Sequence, residues 1–196
     1  MTGRPRVLVL DAMGVIYRAG DDVAELLVPF VERNEGKRDE VEGAYHEASL
    51  GRLKAAQFWR RVGLAPALED DYLAGHALSD GLSDFLPAAR ERAEAIWCLS
   101  NDLSDWSRKL RRAFAIEAYF DGFVISDQVG VRKPDAAIYK ALERAAGCAT
   151  GDVLFVDDRP KSLAAASALG WHTLLYDPTG RAEGAVSRLD LILERL

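Results

Sequence analysis

Cysteine is scarce: two thiols, Cys98 and Cys148, occur among 196 residues, and they form no C-x-x-C pair. That leaves no basis for a disulfide framework or a thiolate zinc site, and it suits a reducing compartment. Histidine is nearly as rare, with His46, His76 and His172 too widely spaced for a metal-ligand pattern. Each is expected at a helical surface or a strand edge. Positive charge is in deficit, 25 Lys and Arg against 31 Asp and Glu, for a net charge of -6. Nucleic-acid footprints are basic, so no nucleic-acid partner is expected, whereas a small anionic metabolite needs only a local positive pocket. Long apolar runs are missing too. Arg4 and Arg6 precede the run Val7–Leu10, too brief for the apolar core of a signal peptide. No stretch approaches the roughly 20 apolar residues of a membrane span. The expectation is a cytoplasmic protein without a membrane partner, monomeric or homodimeric.

What is present is ordinary for a globular domain: 49% hydrophobic and 29% charged residues, in a chain long enough for one domain with a modest insertion. Short runs rich in Val, Ile and Leu predict buried parallel strands at Val7–Leu10, Ile96–Leu99, Phe123–Ile125, Val153–Val156 and Thr173–Leu175. Between them, 3.6-residue periodicity predicts helices over Asp105–Ala115, Pro134–Ala146 and Leu163–Leu169. Proline is expected in the first turn of the second of these, and Gly147 at its end. Alternation of strand and helix predicts an α/β fold with a doubly wound parallel sheet. One stretch breaks the rhythm. Between Tyr17 and Asp80 the patterns are helical (Val23–Arg33, Arg38–Ser49, Leu53–Val62, Leu68–Leu78) and no strand is evident. The expected organisation is a core of residues 1–16 and 81–196, with residues 17–80 inserted as a small helical subdomain.

Ligands of open parallel sheets bind beyond the carboxyl ends of the strands. Polar residues that directly follow each apolar run are therefore the candidates. Asp11 follows the first run, Ser100, Asn101 and Asp102 the second, and Asp157 and Asp158 the fourth, while Lys133 precedes a proline. Any one of these aspartates could merely cap a helix or form a turn. Their recurrence at successive strand ends argues for a site. Carboxylates gathered at one edge repel one another unless a cation lies between them, so a hard, oxygen-seeking ion such as Mg²⁺ is expected.

These residues resemble the motifs of the haloacid dehalogenase-like (HAD) superfamily across nearly the whole chain. Val7-Leu-Val-Leu-Asp11-Ala-Met-Gly14 resembles its first motif, Cys98-Leu-Ser100-Asn101 its second, Val131-Arg-Lys133-Pro134 its third, and Phe155-Val-Asp157-Asp158 its fourth. The resemblance implies a Rossmann-like core and a helical cap, with Gly51 to Trp59 similar to a cap segment. It also implies a hydrolase in which Asp11 attacks phosphorus and forms an aspartyl-phosphate that water then cleaves. Ser100, Asn101 and Lys133 would hold the phosphoryl group. Mg²⁺ would be bound by Asp11, the Met13 main-chain carbonyl and Asp158, with Asp157 acting through a water molecule. Gly14 would permit the tight turn behind the nucleophile.

Met13 departs from the pattern. Phosphatases of this family usually carry a second aspartate there, which protonates the leaving group. Methionine cannot, and general acid–base help is worth roughly 10²–10⁴-fold in rate. Three readings follow: a phosphatase that finds its proton elsewhere, another hydrolytic reaction on the same scaffold (phosphonate C–P or haloacid C–halogen cleavage), or a binding protein that has lost catalysis. The phosphonate route would use a cap lysine, for which Lys54 is the candidate, although a solvated surface lysine is the plainer reading. The haloacid route could use Arg33 or Arg38 to grip a carboxylate, but it needs no metal and leaves Asp157-Asp158 unexplained. Trp59, Trp97, Trp106 and Trp171 are expected in packing. Cys98 is expected to be an inert buried thiol, and Tyr17 and Arg18 to lie at the cap hinge. Asp21-Asp22 reads as a charge pair favourable to a helix N-terminus.

Overall fold

The computed structural model describes residues 5–196, so Arg4 lies outside the described residues. Five strands, β1 (Val7–Leu10), β2 (Ala95–Ser100), β3 (Gly122–Ile125), β4 (Val153–Asp157) and β5 (His172–Leu175), form one parallel sheet in the order β3-β2-β1-β4-β5. The chain winds outward from β1 through β2 to β3, then returns to the other side of β1 for β4 and β5. This is the doubly wound arrangement, with its switch point between β1 and β4. Side chains alternate between faces. Leu8 and Leu10 enter one apolar cluster, while Val7 and Val9 enter the other with Ile138, Leu142 and Phe155. A sheet covered on both faces needs continuous apolar runs, which is why β1 and β4 are buried at every position.

Helices α1 (Val28–Arg33), α2 (Val41–Ser49), α3 (Ala55–Arg61) and α4 (Glu69–Leu73) occupy the insertion after β1. They are followed by α5 (Leu82–Arg90), α6 (Ser104–Ala113), α7 (Ser126–Val129), α8 (Ala136–Ala146) and α9 (Pro160–Ala168). The helix expected over Val23–Arg33 is instead a π-helical turn, Val23–Leu27, running into α1. Pro134 does not open α8. Asp135 takes the N-cap, its side chain accepting from the Ala137 N–H at 2.8 Å, while Gly147 closes the helix at φ 64° as expected. The expected helix over Leu163–Leu169 starts earlier, with Pro160 in its first turn. The expected helix Leu68–Leu78 ends at Leu73, because the chain must turn back to pair Leu78 with Tyr17. His76, expected at the surface, is buried in that turn against the rings of Tyr17 and Tyr72.

The insertion is closely docked on the sheet domain. The indoles of Trp59 on α3 and Trp106 on α6 both donate to Glu69 Oε2, at 3.0 and 2.8 Å, and Lys109 on α6 bonds Oε1 at 2.6 Å. The Ser126 hydroxyl on α7 donates to the Ser49 carbonyl at the end of α2. At the entry and exit of the insertion, Tyr17 pairs with Leu78 and Arg18 meets Asp80 at 2.6 Å. Trp59 and Trp106 are fully buried and Cys98 is buried in β2, as expected for packing residues. No helix among the described residues is long and apolar enough to cross a membrane.

Candidate active site

Asp11, Ser100 and Asp157 stand at or just past the carboxyl ends of β1, β2 and β4, so the central strands deliver them to one edge. Lys133 reaches them from the loop between α7 and α8. Its Nζ lies 2.7 Å from Asp11 Oδ1 and 2.8 Å from Asp157 Oδ2, and all three side chains are withdrawn from solvent. The Ala12 N–H also donates to Asp11 Oδ1, at 2.7 Å. Both contacts fall on the same oxygen, and Oδ2 receives no hydrogen bond from the described residues. Asp157 spends its other oxygen on the Arg159 N–H at 2.7 Å, which fixes the turn into α9.

Burial first, then the charge of Asp157, holds the Asp11 carboxyl up at about 8 despite the pull of Lys133. Burial would lower the Lys133 ammonium, but Asp11 and Asp157 overcome it and raise the group above its ordinary range. Burial and Asp157 likewise push Asp158 up to about 6. Such strain among like charges marks a place where added positive charge is stabilising.

A metal ion would find a suitable donor set here. Ligand atoms of Asp11, Asp157 and Asp158 lie within 4.8 Å of one another. Asp158 Oδ1 is buried without a hydrogen bond, its nearest cation being Arg159 Nε at 4.0 Å, and a metal ion would satisfy it directly. The turn after β1 is closed by Tyr17 N–H to Ala12 and Gly14 N–H to Tyr17, bonds that leave the Met13 carbonyl unused. Gly14 is forced by that turn: its φ is +81°, and a Cβ would overlap the Asp158 carboxylate. An all-oxygen set suits a hard cation.

The site opens into a cavity of about 640 Å³ between the sheet edge and the insertion. Asp11, Met13, Ser100, Asn101 and Lys133 line its floor; Asp22, Glu42, Tyr45 and His46 approach from the insertion, and Arg132 and Arg159 from the core. Asn101 lines the cavity, but its side chain is committed elsewhere. Its Oδ1 accepts from the Lys133 N–H at 2.7 Å, and its amide donates to the Lys133 carbonyl at 3.0 Å. It therefore positions Lys133. Asp102 is buried beneath, its Oδ1 accepting from the Leu103 N–H at 2.7 Å. Lys54 is exposed at the start of α3 and does not line the cavity; Arg33 lies over the Phe30 ring, and Arg38 pairs with Glu32. Asp22 corrects the expectation of a charge pair serving a helix N-terminus. Asp21 bonds the Ala24 N–H, but Asp22 makes no cap and is buried in the cavity wall.

Fold and site together define an α/β protein with its chemistry at the carboxyl edge of a doubly wound sheet. The chain belongs to the haloacid dehalogenase-like hydrolase family, whose model matches residues 5–170. Over 122 residues it is 31% identical to Phosphatase MT3486 of Mycobacterium tuberculosis (strain CDC 1551 / Oshkosh), a match that covers 60% of this chain and 55% of that protein. The matched stretch thus spans little more than half of that relative's length. Among solved structures, the HAD family enzyme bt-2542 from Bacteroides thetaiotaomicron, in complex with magnesium and inorganic phosphate, gives a TM-score of 0.74 at 19% identity, covering 91% of this chain and 97% of that one. The HAD-hydrolase YfnB of Bacillus subtilis, bound to magnesium, gives 0.71 at 16% identity over 98% of both chains. L-2-haloacid dehalogenase from Xanthobacter autotrophicus gives 0.65 at 20%, covering 90% of this chain and 79% of that one. At these identities the likeness is one of fold.

Proposed function

We propose that this chain is a Mg²⁺-dependent phosphatase of small anionic metabolites, with Asp11 as covalent nucleophile. The observation that carries the reading is the buried Lys133 ammonium bridging Asp11 and Asp157, beside the Asp158 oxygen that no hydrogen bond satisfies. Asp11, Asp158 and the Met13 carbonyl would hold the metal directly, with Asp157 behind a water molecule; when bound, it offsets the charge of the phosphoryl oxygens and orients the nucleophile. Asp11 attacks through the oxygen that Lys133 leaves free. Lys133 and the Ser100 hydroxyl bind the phosphoryl oxygens, and Asn101 keeps Lys133 in register from behind. Residues 17–80 serve as the cap, since their two ends run side by side at Tyr17 and Leu78 and the cavity lies beneath their helices.

The other chemistries fit less well. Cleavage of a phosphonate through a lysine imine would need Lys54 in the cavity, and halide displacement has no use for three gathered carboxylates. The test is phosphate release from acetyl phosphate, p-nitrophenyl phosphate and a sugar phosphate, with and without Mg²⁺. Metal-dependent release from the wild type, absent in Asp11→Asn, is the expected result. No release from any of the three would overturn the reading.

A further inference from the structure

An alkoxide leaves phosphorus readily only if a proton reaches its oxygen as the P–O bond breaks. Met13, beside the nucleophile in the cavity floor, has none to give. The other groups that line the cavity narrow the choice. Glu42 and His46 are exposed, and Asp21 is spent on the Ala24 N–H. Burial holds the Tyr45 hydroxyl well above its ordinary range, and that hydroxyl already donates to the Asn101 carbonyl at 2.9 Å.

Asp22 stands apart. It is 4% exposed, lines the cavity, and has as its one side-chain partner the Tyr72 hydroxyl at a long 3.5 Å. The chain around it is drawn onto the end of β4. A Cβ on Gly20 would come within 3.0 Å of Asp158 Oδ2, and Arg159 Nη2 donates to the Gly20 carbonyl at 3.0 Å. The segment that bears Asp22 is thereby held against the end of β4, and Asp22 lines the same cavity as Asp11, Ser100 and Lys133.

Resting on the phosphatase reading, we propose that Asp22, carried by the insertion, is the catalytic acid and base that the first motif lacks. In the first step an Asp11 oxygen bonds to phosphorus and the P–O bond to the leaving group breaks. The electron pair goes to the leaving oxygen, which takes the Asp22 carboxyl proton and departs as an alcohol. In the second step water bonds to phosphorus, its proton returns to the Asp22 carboxylate, and the bond to Asp11 breaks with its electron pair on the Asp11 carboxylate. Burial and neighbouring Asp21 hold the Asp22 carboxyl up at about 6 against the pull of Arg159. Tyr72 from α4, Tyr45 from α2 and Asp102 from beyond β2 complete its surroundings. A carboxyl poised so near neutrality can serve both directions of transfer.

The test is how kcat/KM depends on leaving-group basicity across p-nitrophenyl, phenyl and alkyl phosphates, with Mg²⁺, for the wild type and Asp22→Asn. A shallow dependence is expected of the wild type. In Asp22→Asn, p-nitrophenyl phosphate is expected to stay within about tenfold while the alkyl ester falls by roughly 10²–10⁴-fold. An equal loss on all three esters would mark a structural residue and overturn the proposal. So would a wild type whose rates already fall steeply with leaving-group basicity, a result that requires no variant to fold. A wild type active on none of them would overturn the phosphatase reading along with this one, whereas an active wild type with an unchanged slope in Asp22→Asn overturns this one alone.

Discussion

Three residues within one turn of chain shape the end of β1. Asp11 presents an oxygen free of hydrogen bonds, Met13 offers its main chain alone, and Gly14 makes room for Asp158. Asp11→Asn is expected to reduce phosphate release to the uncatalysed background, because an amide is no nucleophile at phosphorus. Met13→Asp is expected to raise turnover of alkyl phosphates, and to do so most where Asp22 has been changed to Asn, since it restores a carboxyl beside the nucleophile. An equal gain in both backgrounds would show that the two positions act independently. Asp22 also leaves a thermodynamic trace. Its carboxyl sits at about 6 in the folded chain and near 3.9 in an unfolded one. The folded state therefore binds the proton more tightly, and stability falls as pH rises from about 4 to about 6. Asp22→Asn is expected to remove that part of the fall, by roughly 2–3 kcal/mol. Denaturant melts of both proteins at either end of the window check it. None of this was legible at Asp22 itself, where two adjacent acids before a helix look like a pair that serves the helix N-terminus. Its burial depends on how residues 20–22 lie over β4, which is set by contacts distant in sequence.

At the level of elements, the strands were legible because a sheet buried on both faces demands uninterrupted Val, Ile and Leu, and each predicted strand overlaps an observed one. Helix α5 was not, since Pro87 stands inside it and disguises the periodicity. The start of α8 is hidden in the sequence because Pro134 resembles an opening residue, whereas the side-chain bond that makes Asp135 the cap depends on the folded turn. The polar residues after β1, β2 and β4 were legible as a group. The service of Asn101 was not, because its partner Lys133 comes from a different loop. Asn101→Ala removes two bonds to the Lys133 main chain and should cost about 1–3 kcal/mol. The sharper expectation is a drop in kcat larger than the rise in KM, read from steady-state kinetics.

At the scale of the whole molecule, crowded carboxylates make the fold sensitive to divalent cations. Saturating Mg²⁺ should raise the melting temperature, by about 2.7 kcal/mol of added stability at a hundredfold excess over Kd. Asp158→Asn should lose most of that gain, and chelation should reverse it in the wild type, both measurable by differential scanning fluorimetry. The junction of insertion and core offers a subtler gauge. The rings of Trp59 and Trp106 are 5.7 Å apart, and both are bound to one Glu69 carboxylate oxygen. Each belongs to a different side of the molecule. Parting of the two sides would break one indole bond, separate a coupled pair of chromophores and wet both. The chain thus carries an intrinsic optical reporter of that junction: if the two sides part, a red shift and intensity change in tryptophan emission, with no label attached, is the expected signal, and an emission unchanged by added Mg²⁺ and phosphate would show the junction staying shut.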